Sequence, residues 1–162
     1  MITLTEGNLL EARVDAQVNA VNCEGVMGAG IALKFKQAYP PMFRDYEMAC
    51  KAGKVNLGQV HVFDRVLDRL GPELGPEGGP RWIINFPTKD HWRDSSRMVD
   101  IETGLKDLVA TVKQLNIRSI AIPALGCGNG GLDWNVVRPR IEWYFSELPD
   151  VQVALYAPEA KR

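Results

Sequence analysis

The spacing of apolar residues changes period several times along the chain. Ile2–Glu6 and Ala16–Val21 each read as a strand, and QVNAV in the second alternates in the manner of a partly buried one. A glycine-rich turn follows, Gly25–Gly30, and leads into IALKFKQAY. After the Pro40-Pro41 break, MFRDYEMACKA gives a second helical stretch, with Gly53 placed to cap its end. QVHVFDRVL (Gln59–Leu67) alternates again, and RWIINF (Arg81–Phe86) is apolar enough for a sheet interior. From Met98 the pattern becomes helical. Met98, Ile101, Leu105, Leu108, Val109, Val112 and Leu115 recur at threes and fours. SIAIP then predicts a short buried strand, Ser119–Pro123. NVVRPRIEWYFSEL predicts a helix whose main segment begins at Pro139 and whose Trp143 lies in the core, and the last strand is Val151–Tyr156.

Strands and helices alternating in this order predict an α/β fold, a three-layer α/β/α sandwich around a mixed central sheet. At 162 residues the chain is about the size of a single domain, spanning 1–162. GPELGPEGGP, residues 71–80, packs four glycines and three prolines into ten positions and predicts a flexible hairpin loop.

Composition narrows the class. The 46% hydrophobic and 24% charged fractions fit a soluble globular protein. No apolar run approaches the roughly 20 residues that a membrane span requires. MITLTEGNLL lacks the pattern of a secretion signal, so the expectation is a cytoplasmic protein with no membrane partner. Cys23, Cys50 and Cys127 have no paired spacing, which suits free thiols. Two histidines and no thiol cluster argue against a zinc site. With a net charge of -1, any nucleic-acid partner must be held locally rather than by the overall field.

Two glycine-rich turns carry the strongest chemical signal. PALGCGNGGLDW lies between a strand and a helix, where a tight backbone turn and unpaired helix N–H groups favour an anion such as phosphate. VNCEGVMGAGIALKF repeats the arrangement, with Asn22 at the strand end and Gly28-Ala29-Gly30 opening the helix. Together they suggest a diphosphate held from two sides. A nicotinamide-dependent dehydrogenase competes, because GCGNGG fits G-x-G-x-x-G, but the chain lacks the further βαβ unit and strand-end acid of that fold. No G-x-x-x-x-G-K-[ST] is present to suggest a triphosphatase. Cys23 and Cys127 read as small packing residues. Taken by position alone, Lys89 in INFPTKDHW is a solvated loop residue.

These segments resemble the macrodomain family of ADP-ribose-binding modules. NFPTKDHW with PALGCGNGGLDW resembles the DarG branch, antitoxins that remove ADP-ribose from thymidine in DNA, related to terminal ADP-ribose glycohydrolase. The resemblance implies an adenine-side contact from Asn8, Leu9 and Tyr156, a distal-ribose contact from Asn22, and a diphosphate cradle. That cradle would be formed by Gly28, Ala29, Gly30, Ile31, Gly126, Cys127, Gly128, Asn129 and Gly130. A bulky residue at one of these glycines should block the cleft rather than destabilise the core. The resemblance makes Lys89 the nucleophile and Asp90, His91 and Trp92 candidates for proton transfer or base contact. Trp92 and Trp134 are candidates for stacking on a base.

A free lysine amine is protonated near neutral pH, so nucleophilic attack requires the desolvation that a filled cleft supplies. No metal or other cofactor is implied; ADP-ribose enters as part of the substrate. The implied partners are ADP-ribosylated single-stranded DNA and a DNA ADP-ribosyltransferase toxin, and a monomer is expected. Two further readings stay open: a non-catalytic ADP-ribose-binding module and a hydrolase of protein-linked ADP-ribose. In the related glycohydrolase an aspartate assists the lysine where Gly130 stands here, and Asp133 is placed to cap the next helix instead.

Overall fold

A computed structural model describes residues 1–67 and 78–159. The elements are β1 (Ile2–Thr5), a single 3₁₀ turn (Leu9–Glu11), β2 (Ala16–Val21), α1 (Gly30–Ala38), α2 (Pro40–Lys51), β3 (His61–Asp64), β4 (Trp82–Pro87), α3 (Met98–Gln114), β5 (Ser119–Ile122), α4 (Trp134–Phe145) and β6 (Gln152–Tyr156). The sheet order is β1-β6-β5-β2-β4-β3. Five strands are parallel, and β3 returns antiparallel along β4, so the sheet is mixed as expected. The predicted flexible loop lies, over 71–77, outside the described residues.

Each face of the sheet has its own core. Phe35 of α1 and Met42 and Tyr46 of α2 pack toward Val21, Ile83 and Ala121. On the other face, Ile101, Leu105 and Leu108 of α3 and Val137 and Ile141 of α4 meet Val18, Ile84 and Ile120. Side chains that are neighbours on a strand point to opposite layers, which is why both sides of the sheet can be apolar.

The alternation in QVNAV has a different cause from the one its pattern suggests. Gln17 and Asn19 are fully buried, beneath the α1/α2 layer. Asn19 Nδ2 donates to Oδ1 of Asn85, its register partner on β4, at 3.2 Å. Gln17 Nε2 lies 3.2 Å from the carbonyls of both Leu10 and Ala12, fastening the segment after β1 to the central strand. A buried amide costs about 1–3 kcal/mol when it is left without partners, so these contacts favour one register. Polarity here marks internal bonding, and not a solvent face.

Three further expectations are corrected. β3 covers only His61–Asp64 of the alternating run. Pro139 does not begin the main segment of α4 but lies inside a continuous helix. Asp133 accepts from the Asn135 N–H at 2.9 Å and starts that helix at Trp134, upstream of the proline. Trp143 is 55% exposed. Val137, Ile141 and Phe145 set the inner face of α4, and a residue two positions from Ile141 falls on the opposite side. The Arg140 guanidinium covers that indole at 4.7 Å.

Gly104 lets α3 approach the sheet closely. A Cβ there would run into the Phe86 ring, whose Cε1 would be 2.8 Å away. Gly104→Ala gains about 1 kcal/mol of helix propensity but overpacks this contact. We expect net destabilisation of about 1–2 kcal/mol, read as a lower urea midpoint with an unchanged slope.

Candidate active site

All five parallel strands end on the same side of the sheet, and each end delivers a residue or loop singled out in the sequence. In sheet order these are Asn8 and Leu9 after β1, Tyr156 closing β6, Gly126–Gly130 after β5, Asn22–Ile31 after β2 and Lys89 after β4. Four interstrand steps span about 19 Å at ~4.8 Å each. β2 leads to α1 on one face and β5 leads to α4 on the other, so their loops diverge and open a crevice. Such a switch point is where open α/β sheets hold ligands.

Both loops carry unpaired amides. Ala29 caps α1 without a side-chain bond. Among the described residues, the N–H groups of Gly30, Ile31 and Ala32 have no acceptor, and neither do those of Gly126, Gly128, Asn129 and Gly130. Gly28, Ala29, Gly30, Gly128 and Asn129 are exposed. Unpaired N–H groups and the positive end of α1 favour an anion without requiring a cationic side chain.

The second loop rests on tight packing. Gly126, at φ +74, accepts from the Leu132 N–H, while the Ser96 N–H donates to the Gly130 carbonyl, both at 2.9 Å. A Cβ on Gly130 would strike the buried Ser96 hydroxyl and come within 2.6 Å of the Gly126 carbonyl. A Cβ on Gly126 would lie 2.7 Å from Leu132 Cδ1. At these two positions the expectation that a larger residue would only block the cleft is therefore wrong. At Gly128 a Cβ would meet nothing within 4 Å.

Asn22 builds the first loop. Its Oδ1 accepts from the Glu24 N–H at 3.1 Å, an Asx turn, and from the fully buried Tyr46 hydroxyl at 2.8 Å. Its Nδ2 donates to the Val26 carbonyl at 2.8 Å, leaving one N–H for a ligand hydroxyl. At the other end of the crevice, Asn8 Oδ1 accepts from the Leu10 N–H and Leu9 is buried. Burial, followed by the Glu11 carboxylate, raises the Tyr156 phenol above the ordinary tyrosine range.

Lys89 owes its position to a fault in sheet pairing. Val21 pairs with Pro87, and its carbonyl accepts the Thr88 N–H at 2.9 Å. The regular parallel ladder would next join the Cys23 N–H to the Thr88 carbonyl, but the bond goes to Asp90 instead, at 2.9 Å. Two extra residues are thereby displaced on the β4 side, a bulge that contains Lys89. Lys89 is half-buried beside a cavity of 330 Å³ shared with Leu57, Asp94, Ser95 and Arg97. No ion pair or hydrogen bond engages its ammonium among the described residues.

The neighbours of Lys89 are held more firmly than the sequence suggests. His91 Nδ1 accepts from the Arg93 N–H at 3.1 Å and Nε2 lies 3.0 Å from Glu24 Oε2, so both ring nitrogens are occupied. The Trp92 ring is 49% exposed and stacks on His91. Trp134, by contrast, packs against the α3/α4 core. Burial and the Asp90 carboxylate push the Cys23 thiol up to about 12, and burial with Asp133 pushes Cys127 up to about 11. Neither is an activated nucleophile. Among the described residues, no three His, Cys, Asp or Glu side chains gather as a metal would require.

Sequence reasoning missed Glu24, Tyr46 and Ser96. Glu24 lies inside the first glycine-rich segment without being part of its glycine pattern, and Tyr46 and Ser96 lie outside both segments. The partners that give the three their roles lie 24 or more residues away in sequence.

Residues 18–141 match the Macro domain family. This chain is a macrodomain. A protein of Mycobacterium tuberculosis named DNA ADP-ribosyl glycohydrolase is 51% identical over 158 residues, 98% of this chain and 42% of that protein. The solved macrodomain of Mycobacterium tuberculosis DarG is 50% identical, with a TM-score of 0.91 over 98% of this chain and 99% of that one. A Thermosipho africanus protein named a DNA ADP-ribosyl transferase-DNA ADP-ribosyl glycohydrolase fusion is 35% identical over 99% of this chain and 43% of its own length. A solved Thermosipho africanus DarTG in complex with ADP-ribose has a TM-score of 0.87 at 36% identity, covering 99% of this chain and 42% of that one. The macrodomain thus spans about two-fifths of the length of these full-length relatives.

The glycines give the test. Gly130→Ala should lower stability by about 1–3 kcal/mol through overpacking against Ser96, while Gly128→Ala should stay within about 0.5 kcal/mol. Denaturant midpoints measured side by side check the contrast; equal losses would refute it.

Proposed function

We propose that this macrodomain hydrolyses the N-glycosidic bond between ADP-ribose and a thymidine base in single-stranded DNA, with Lys89 as nucleophile. The observation that carries the reading is the bulge after β4, which presents an unpaired lysine one strand beyond the first anion-binding loop. The glycohydrolase names of the relatives support the reaction class. The Thermosipho structure, described as holding ADP-ribose, supports the ligand.

An ADP-ribose laid along the strand ends would place adenine near Asn8, Leu9 and Tyr156, and the diphosphate against the amides of Gly28–Ile31 and Gly126–Gly130. The distal ribose would then meet Asn22 and approach Lys89. In this mechanism the neutral Nζ attacks the anomeric carbon and the bond to thymine breaks. Thymine leaves with that electron pair and takes up one proton, which balances the proton lost from the attacking amine. The sugar is then attached to Lys89 as a glycosylamine or its ring-opened Schiff base. Water adds at the same carbon, the lysine departs, and ADP-ribose is released. Side chains and amides of this chain supply every contact invoked.

Reversal of a modification of this kind makes a DNA ADP-ribosyltransferase toxin the partner, and the fusion relative supports that pairing. A binding-only reading draws on one observation. Gly130 has no room for the aspartate that assists lysine in the related glycohydrolase.

Lys89→Ala decides between the two readings. It should reduce release from an ADP-ribosylated thymidine oligonucleotide at least about 10³-fold while the Kd for ADP-ribose stays within about threefold. Undiminished release would remove Lys89 from the reaction. If the parent protein releases nothing from this oligonucleotide, the DNA reading fails. A parallel arm with protein-linked ADP-ribose then separates a different hydrolase from a binding module.

A further inference from the structure

We propose that Glu24, in the first anion-binding loop, is a positioning residue for the nucleophile, acting through His91 and Trp92. This inference rests on the proposed role of Lys89 and adds a second loop to it. The Glu24 carboxylate holds two consecutive residues of the lysine segment at once. Oε1 accepts the Trp92 backbone N–H at 2.9 Å, and Oε2 faces His91 Nε2 at 3.0 Å. The imidazole is oriented for this contact, because its Nδ1 accepts from the Arg93 N–H, which in the neutral ring leaves the proton on Nε2.

Together with the Cys23 N–H to Asp90 carbonyl bond at 2.9 Å, these contacts close the far end of the Lys89 bulge. The near end is closed by the Thr88 N–H to Val21 carbonyl bond. A two-residue excess is flexible unless both of its ends are tied. Glu24 also lies inside the loop that Asn22 and Tyr46 shape, through the Glu24 N–H to Asn22 Oδ1 bond. The same short loop therefore forms part of the diphosphate cradle and holds the lysine segment in register with it.

The pair of bonds makes the variants informative. Glu24→Gln keeps an acceptor for Trp92 but turns an N–H toward the His91 Nε2–H, and Glu24→Ala removes both contacts. Both should slow single-turnover release by about tenfold or more, with the ADP-ribose Kd within about threefold, as expected of a misplaced reacting group. His91→Ala should match Glu24→Gln, and the double variant should be no more than about twofold slower than either single, because both remove one contact. His91→Gln cannot titrate but can still donate to the carboxylate, and it should recover at least about half of the parent rate.

Unchanged rates in both Glu24 variants, multiplicative losses in the double variant, or His91→Gln as slow as His91→Ala would each overturn the proposal. The last result would assign the imidazole a proton-transfer role of its own. Exchange of the Trp92 amide proton, followed by NMR in the parent and in Glu24→Ala, reads the contact without activity. Faster exchange in the variant is expected, and unchanged protection overturns the proposal. If the parent releases no ADP-ribose, the proposed reaction fails while this measurement still decides whether Glu24 holds the Lys89 segment.

Discussion

The parallel pairing of β2 with β4 is the constraint on which the rest of the site depends. It runs in register for six residues, with the buried Asn19–Asn85 pair inside it, and breaks just beyond Pro87. Had the ladder continued, residue 89 would be one more rung of the sheet. Because the Cys23 N–H reaches Asp90, two residues are displaced and a long cationic side chain is brought to the end of the crevice. The rigidity of the paired strands and the freedom of the bulge are therefore parts of one arrangement. β4 fixes the backbone on one side and the Cys23–Asp90 bond holds it on the other.

The glycine-rich loops offer a second, electrostatic device that leaves no trace in net charge. Amides at the start of α1 and along the Gly126–Gly130 loop have no acceptor among the described residues. Such dipoles are fixed by the fold and suit an anionic group. A chain of net charge -1 can thus hold a doubly anionic group locally. In the segment that follows Lys89, the Arg93 guanidinium lies 4.7 Å from the half-exposed Trp92 ring.

Local periodicity carried most of the fold. Each predicted strand and helix is present, and both glycine-rich turns lie where strands hand over to helices. The discrepancies arise where a distant partner decides the outcome. Gln17 and Asn19 look like solvent-facing residues until β4 and the segment after β1 close over them. Trp143 looks like core until the phase set by Val137 and Ile141 turns it outward. The site divides in the same way. Glycines before helices announce an anion-binding loop from sequence alone, whereas Lys89 stands out only through family resemblance, since a bulge is a property of two strands. Glu24, Tyr46 and Ser96 act across the fold and have no local signature.

Covalent attachment of the sugar to Lys89 is the central claim, and borohydride trapping addresses it directly. The protein would be incubated with an ADP-ribosylated thymidine oligonucleotide, reduced during turnover and digested, and the modified peptide mapped by mass spectrometry. A reduced, sugar-derived adduct on Lys89 that appears only with substrate is the expected result. Rapid release of ADP-ribose with no adduct at Lys89, or with the adduct on another residue, would contradict it.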